Sequence, residues 1–157
     1  LDYTALSRPE KSTPYRVFTN NNKQIAVLYD SAGPFSAGAI YGTAGDLYKY
    51  YRSFRSYQII SAQSQEIAFA PSKTNDGYGH GWQLKKETMQ PTVVSHSGGA
   101  AGFRSNFAMI PGEGICIIIL NNHENANPEY LTGKILEILH AKPVEMFPSR
   151  RHSHLLH

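Results

Sequence analysis

Four consecutive residues, His96-Ser97-Gly98-Gly99, bring together the groups that acyl chemistry uses, and Phe103 follows shortly after them. They lie between two apolar runs that we expect to be strands. A histidine ring can gain or lose a proton near neutral pH, and a glycine N–H can donate to a developing oxyanion. The alternative is a glycine-rich hairpin with an incidental histidine, which composition alone favours.

Other polar residues near this segment have two interpretations each. Arg104 either holds a substrate carboxylate or lies on a solvated strand face. Tyr78 and His80 flank the preceding strand, where they either shape a pocket or pack in the core. The His152–His157 cluster would bind metal ions only opportunistically, and neither His-Glu-x-x-His nor Cys-x-x-Cys occurs. We therefore predict no metal site and no cofactor.

Length and composition narrow the class of protein. The 157 residues suffice for one domain with its own core, and the net charge of +3 is scattered rather than clustered on one element. We therefore predict no nucleic-acid binding. No apolar run reaches the roughly 18 residues of a membrane span, so we predict no membrane segment in this chain. Cys116 lies within an apolar run and is expected to be a core residue.

Hydrophobic periodicity predicts a mixture of helices and strands. Thr43 and Asp46 form a capping box at the start of a helix, and a second short helix begins near Ser61. Strands are expected at 81–86, 92–96, 103–110 and 115–120, with Pro111–Gly114 as an antiparallel hairpin connection. Asn127 caps a last helix, whose expected buried stripe consists of Leu131, Ile135, Ile138 and Leu139. The predicted fold class is α+β, an antiparallel sheet with helices on both faces.

The chain divides into three predicted regions. Residues 1–34 are expected to form an extended or loop lead-in, with a single short strand from Lys23 to Tyr29. Residues 35–142 form the domain, and 143–157 form a polar, basic tail.

Four motifs occur in order along the chain. Together they resemble the C-terminal half of the serine beta-lactamase-related superfamily, which includes class C beta-lactamases, DD-peptidases and related esterases. The resemblance covers roughly residues 35 to 140 and implies a beta-lactamase/transpeptidase-like fold, with 35–142 as the C-terminal portion of such a domain. The motifs are Gly38-Ala39-Ile40-Tyr41-Gly42-Thr43-Ala44-Gly45-Asp46-Leu47, Tyr78-Gly79-His80-Gly81-Trp82, His96-Ser97-Gly98-Gly99-Ala100-Ala101-Gly102-Phe103-Arg104-Ser105 and Leu120-Asn121-Asn122.

This resemblance also implies an activity and a site. The family acylates a serine in Ser-x-x-Lys and uses a Tyr-x-Asn and a Lys-Thr-Gly or His-x-Gly triad on an edge strand. His96-Ser97-Gly98 matches the triad in its histidine form. The implied catalytic residues are His96, Ser97 and Gly99, whose N–H would serve the oxyanion hole, and the implied substrate-binding residues are Gly98, Arg104 and Tyr78.

The implied substrate is an ester, a D-amino-acid peptide or a beta-lactam. Histidine in place of lysine removes a fixed positive charge, which shifts the expectation toward esterase or peptidase activity. A periplasmic or extracellular location is compatible with the resemblance, although the sequence itself assigns no compartment.

The first two family motifs do not occur among the 157 residues, since no Ser-x-x-Lys and no Tyr-x-Asn is present. We therefore expect a C-terminal fragment of a serine hydrolase, whose partners are a small-molecule or peptide substrate and the missing N-terminal part of the same domain. A serine without its lysine base is not activated, so we expect the fragment alone to be inactive. The alternative is a non-catalytic binding or scaffold module of the same fold.

Overall fold

A computed structural model describes residues 11–19, 22–27, 35–38, 40–85 and 92–141. Within these ranges the chain forms strands, α-helices and one short 3-10 helix at Phe35–Ala37. The strands are β1 (Tyr15–Thr19), β2 (Asn22–Ile25), β3 (Gln83–Lys85), β4 (Val93–Ala100), β5 (Phe103–Ile110) and β6 (Ile115–Asn121). The helices are α1 (Ala44–Arg55), α2 (Ala62–Ala68) and α3 (Pro128–Leu139).

The main sheet is antiparallel, with the strand order β3-β4-β5-β6. The predicted hairpin at Pro111–Gly114 is confirmed, because Ile110 at the end of β5 pairs with Ile115 at the start of β6. β1 and β2 form a separate two-stranded antiparallel sheet.

Helices lie on both faces of the main sheet, as predicted. On β5, Phe107 and Met109 point toward α1: the Phe107 ring lies 6.1 Å from that of Tyr50, and Met109 belongs to the buried cluster around Tyr51. Asn106 points the other way, where its Nδ2 donates to Thr132 Oγ1 on α3 at 2.8 Å. Because neighbouring residues of a strand face opposite sides, one strand supports both layers. The α+β prediction is confirmed.

The first helix begins as predicted. Thr43 Oγ1 accepts from the Asp46 N–H, and the Asp46 carboxylate accepts from the Thr43 N–H, each at 3.1 Å. The Thr43 hydroxyl also donates to this carboxylate, which holds the pKa of Asp46 below its ordinary value. Further along the helix, Tyr51 and Phe54 are buried against the sheet.

An aromatic cluster joins the first two helices to the sheet. The Phe54 ring lies 5.8 Å from the rings of both Phe69 and Trp82, and Trp82 lies 5.9 Å from Phe107. Pairs of this kind contribute about 0.5–1.5 kcal/mol beyond the area they bury. The cluster therefore fixes the segment after α2 relative to the sheet, and this segment carries Tyr78.

The predicted buried stripe of α3 is wrong. Leu131, Ile138 and Leu139 are exposed and Ile135 is half-buried, while Pro128 and Thr132 are the buried residues of this helix. The reason lies on β5, where Asn106 is 3% exposed and takes Thr132 as its acceptor. A buried amide without a partner costs about 1–3 kcal/mol, so the helix turns its threonine toward the sheet. The Asn127 cap is confirmed.

The predicted loop before residue 23 contains a strand, β1, that local sequence did not indicate. Its position is set by the segment after β6: the Tyr15 N–H donates to the Asn122 carbonyl at 2.9 Å, and Asn122 Nδ2 donates to the Thr13 carbonyl at 2.8 Å. Arg16 and Glu124 form an ion pair at 2.9 Å. Of the predicted strand from Lys23 to Tyr29, residues 23–25 lie in β2 and Ala26 and Val27 are not in a strand, while its last two residues and the predicted tail lie outside the described residues.

Candidate functional site

The motif His96-Ser97-Gly98-Gly99 lies inside β4 rather than at its end. Sequence analysis ended this strand at His96, whereas the strand continues to Ala100 and pairs with β5 from Val94 to Ala100. The connection is the two-residue turn Ala101-Gly102, in which Gly102 has φ +75°. Only glycine adopts this φ without strain, so Gly102 rather than Gly98 or Gly99 supplies the turn.

Tyr78 reaches this strand from the loop after α2. An isolated bridge pairs Tyr78 with Gln83, and the Gly79 N–H donates to the Trp82 carbonyl at 2.8 Å. Gly79 is buried so tightly that a Cβ there would lie 2.4 Å from the Ala68 carbonyl oxygen. The loop is thus held between the end of α2 and the start of β3.

Tyr78 contacts His96 directly. The tyrosine hydroxyl and His96 Nε2 are 2.9 Å apart, and the two rings meet edge to face with centroids 5.9 Å apart. The other ring nitrogen, Nδ1, lies 2.7 Å from the Ser97 carbonyl oxygen. A carbonyl only accepts, so Nδ1 carries a hydrogen, and in the neutral ring Nε2 is the acceptor. The Tyr78 hydroxyl therefore donates to His96.

Strand alternation divides the motif between the two faces of the sheet. His96 and Gly98 lie opposite Phe107 and Ser105, on the α1 face, whereas Ser97 and Gly99 lie opposite Asn106 and Arg104, on the α3 face. Side chains of neighbouring strand residues cannot share a face. Of the site residues predicted from sequence, His96 therefore contacts Tyr78 on the α1 side of the strand, while Ser97 and Arg104 lie on its α3 side.

Arg104 lies across Gly99. A Cβ on Gly99 would be 3.2 Å from Arg104 Nη1, and this nitrogen donates to the Phe103 carbonyl at 2.8 Å and the Ala100 carbonyl at 3.2 Å. The two carbonyls hold the guanidinium at the turn between β4 and β5. The side chain is neither fully solvated nor directed away from the motif.

One edge of the motif is open. β3 covers only Val93–Ser95, so within the described part of the chain His96–Ala100 have no strand partner on the side away from β5. An extended ligand can pair with such an edge through main-chain hydrogen bonds. Small residues at Gly98 and Gly99 allow its backbone to approach closely.

Other candidate features lie elsewhere or carry no reactive group. A surface cavity of about 510 Å³ is formed by Lys11–Pro14 and Ile25–Val27, and it includes none of the predicted site residues. Burial raises the pKa of the Cys116 thiol to about 11, so this cysteine stays protonated and is a poor nucleophile. Within the described ranges, no cluster of three or more metal-ligating side chains is found. The helices in these ranges are also too short or too polar to cross a bilayer.

Sequence analysis named both Tyr78 and His96 but did not bring them together. They are 18 positions apart, and their contact depends on the bridge between Tyr78 and Gln83. The signal that could have found the contact is Gly79, whose close packing against α2 fixes the loop. Ser105 was also missed as a neighbour of Gly98, since a Cβ on Gly98 would lie 2.6 Å from its Oγ.

Known proteins are similar to this chain in sequence and in fold. The chain is 31% identical over 91 residues to penicillin-binding protein 4* of Bacillus subtilis (strain 168), a match that covers 55% of this chain and 20% of that protein. The fold matches an octameric penicillin-binding protein homologue from Pyrococcus abyssi with a TM-score of 0.69 and 18% identity, over 87% of this chain and 32% of that one. The chain thus spans about a fifth to a third of the length of these relatives.

The profile of the Beta-lactamase family matches residues 2–142, which includes β1 and β2 as well as the region from 35 onward. Nearly the whole chain is therefore accounted for by one family, and the penicillin-binding proteins that it is similar to belong to the same superfamily. The chain therefore belongs to the Beta-lactamase family.

Proposed function

We propose that this chain supplies the substrate-binding wall of a serine hydrolase that acts through an acyl-enzyme on an ester, a D-amino-acid peptide or a beta-lactam. The observation that carries the proposal is the open edge of β4 at His96–Ala100, where, among the described residues, no strand pairs with the His-Ser-Gly-Gly motif on the side away from β5. Membership of the Beta-lactamase family supports the same chemistry.

The edge offers a backbone donor for the oxyanion. In an antiparallel pair, residues alternate between those bonded to the neighbour and those directed away from it. A two-residue turn is closed by its flanking residues, here Ala100 and Phe103, so Gly98 bonds to β5 and Gly99 points outward. We propose that the Gly99 N–H donates to the oxyanion, a contribution worth about 10²–10³-fold in rate.

The remaining site residues have proposed roles around this donor. The Tyr78–His96 pair lies on the α1 side of the ligand, while Ser97 offers a hydroxyl on the other face. Within the described residues, this hydroxyl has no hydrogen-bond partner. Arg104, held at the turn, contributes positive charge beside Gly99 for a ligand carboxylate. Gly98 has no side chain, which leaves room for the Ser105 hydroxyl on the neighbouring strand.

The nucleophile is proposed to lie outside these 157 residues, in the N-terminal part of the same domain. The 157 residues contain no Ser-x-x-Lys and no Tyr-x-Asn, so the sequence offers no serine with the family's lysine base. The outer edge of β6 at Ile115–Asn121 is unpaired within the described ranges. This edge supports the proposal that a further segment of the protein lies beside β6. An apolar edge of this kind is normally covered by further chain.

The first experiment is a turnover assay. The purified 157-residue chain is mixed with a chromogenic ester and with a chromogenic beta-lactam, and we expect hydrolysis no faster than in buffer. The product of the complete reading frame is assayed beside it and is expected to hydrolyse at least one of the two. Turnover by the 157-residue chain would contradict the proposal.

A second candidate is a non-catalytic binding or scaffold module of the same fold. It is favoured by one observation, the absence of both nucleophile motifs from these 157 residues. The coding sequence upstream distinguishes the two candidates. A Ser-x-x-Lys that opens a helix, followed by a Tyr-x-Asn, supports the hydrolase, and their absence there supports the binding module.

A further inference from the structure

We infer that Tyr78 is the group that meets the ligand on the α1 face of this site, and that His96 decides whether the Tyr78 hydroxyl accepts or donates a hydrogen bond. This inference rests on the proposed function only for the location of the ligand. It assigns Tyr78 a specificity-determining role and His96 a positioning role.

Both nitrogens of the His96 ring are already engaged. Nδ1 lies 2.7 Å from the Ser97 carbonyl oxygen and Nε2 lies 2.9 Å from the Tyr78 hydroxyl. An imidazole has no further polar atom. A ligand can therefore bond the ring only by displacing Tyr78 or Ser97, whereas the tyrosine oxygen keeps unused bonding capacity.

The number of hydrogens on the Tyr78–His96 pair determines whether the tyrosine oxygen accepts a hydrogen bond from the ligand or donates one to it. With a neutral ring, the single hydrogen of the Tyr78 hydroxyl points at Nε2, so the tyrosine oxygen presents lone pairs alone. The ligand group it then binds is a donor, such as an ammonium or an amide N–H. When the ring gains a proton, Nε2 becomes a donor to the tyrosine oxygen, and the hydroxyl hydrogen is released toward the ligand. The pair then binds an acceptor, such as a carboxylate, and adds a positive charge.

Among the described residues, no other titratable or charged side chain hydrogen-bonds to the Tyr78–His96 pair. From α1, Tyr50 packs on Phe107 opposite His96, and burial raises its pKa, so it stays neutral. On β5, Arg104 bonds two carbonyls at the turn. Asp76 and His80 lie in the loop and Lys85 lies on β3, and none of these three described residues has a hydrogen bond to the pair. His80 Nδ1 bonds the Ile67 carbonyl instead.

The geometry also makes the pair accessible. His96 is exposed and Tyr78 is half-buried, so a ligand along the open edge of β4 reaches the hydroxyl without a rearrangement of the core. The bridge from Tyr78 to Gln83 and the close packing of Gly79 hold the hydroxyl in place.

The direct test is an NMR measurement on the ¹⁵N-labelled 157-residue chain. At a pH of about 8.5, above the range in which histidine side chains change charge, the His96 ring is expected to carry its hydrogen on Nδ1, with a bare Nε2. A ring with its hydrogen on Nε2 would overturn the inference. This measurement needs no variant, so a folding defect in a mutant cannot obscure it.

The ligand test uses acetate and methylammonium, two probes of similar size and opposite polarity. Wild-type chain is titrated with each at a pH of about 5.5 and about 8.5, which bracket the charge change of histidine side chains. We expect acetate to shift the Tyr78 signals more strongly at the lower pH and methylammonium at the higher pH. Tyr78→Phe should weaken both by about threefold or more, as loss of one hydrogen bond implies. The control Tyr48→Phe, on α1, should change neither.

His96→Phe provides the decisive comparison. It keeps a ring beside Tyr78 but removes both nitrogens, so the preference should no longer change with pH. A preference that still inverts in this variant, or a Tyr78→Phe variant that binds both probes like wild type, would overturn the inference. Because no readout involves turnover, these outcomes are independent of whether the complete protein forms an acyl-enzyme.

Discussion

The Tyr78 hydroxyl and His96 Nε2 are hydrogen-bonded at 2.9 Å, although 18 positions separate the two residues. This bond connects the loop after α2 to the strand that carries the family motif. The loop in turn is held by Gly79, packed against the carbonyls of Ala68 and Ala70. The environment of the histidine is therefore set by a glycine that never touches it.

Gly79→Ala tests this connection. The new Cβ would lie 2.4 Å from the Ala68 carbonyl oxygen and 2.9 Å from that of Ala70, and neither backbone atom can move cheaply. We expect a loss of about 1–3 kcal/mol in the free energy of unfolding, measured by urea denaturation. The His96 ring signals should also broaden or shift in NMR spectra. The control is Gly112→Ala, where a new Cβ meets nothing within 4 Å. Wild-type stability and ring signals in Gly79→Ala would contradict the account.

Gly102→Ala tests the turn between β4 and β5. Gly102 has φ +75°, and a Cβ there would lie 2.6 Å from Pro14 Cβ and 2.8 Å from Ala26 Cβ. Strain and overpacking together should cost about 2–4 kcal/mol. Thermal melts of the purified variant measure this loss. A melting temperature within about a degree of wild type would contradict this packing of the turn.

A third prediction concerns the helix α3. Gly133 lies inside this helix, and a Cβ there meets nothing within 4 Å. Because glycine is a poor helix former, Gly133→Ala should stabilise the protein by about 0.5–1 kcal/mol. The denaturant midpoint should rise without a change in slope. A lower midpoint would show that this face of the helix is not open as described.

A fourth prediction concerns acid. Hydrogen bonds from Thr43 hold the pKa of Asp46 below its ordinary value of 3.8. A carboxylate whose pKa is lower in the folded state stabilises the fold above its unfolded pKa, and this contribution disappears as the pH falls through the folded value. Wild type should therefore lose more stability than Asp46→Asn on acidification from about pH 5 to about pH 2. Denaturant melts across this range measure the difference, and parallel curves would refute the role of the cap.

Several features of the fold could be predicted from local sequence because local contacts determine them. The Thr43 and Asn127 caps, the β5 strand and the Pro111–Gly114 hairpin depend on residues close in the chain. β1 was missed although it pairs with the neighbouring β2, and the contacts that fix its position come from Asn122 and beyond, more than a hundred residues away. The buried face of α3 was missed because Asn106 on another element requires Thr132.

In the candidate site, too, some features could be predicted from local sequence and others depend on distant contacts. The motif residues were identified from their types and order, and strand pairing places Gly98 and Gly99 next to the turn. Their distribution over two faces follows only from the length of β4, which the glycines conceal because they are rare in strand interiors. The contact between Tyr78 and His96 depends on a bridge and a close packing that no local pattern reports.

The central proposal is that the outward N–H of Gly99 serves an acyl-enzyme site. Gly99→Pro removes this N–H at a position that does not bond to β5, so the fold should survive, since proline is tolerated at outward-facing strand positions. The matched variant Gly98→Pro removes a donor that bonds to β5 and adds a Cβ 2.6 Å from Ser105 Oγ, so it should be clearly less stable. Thermal melts of both variants check the direction of the two N–H groups.

The most direct measurement is the rate of covalent acylation, followed by intact mass spectrometry with a beta-lactam and an activated ester. The account predicts one acyl adduct on the product of the complete reading frame, formed about 10²–10³-fold more slowly in its Gly99→Pro variant, and no adduct on the 157-residue chain. An adduct on a serine of the 157-residue chain, or a folded Gly99→Pro variant acylated at the wild-type rate, would contradict it.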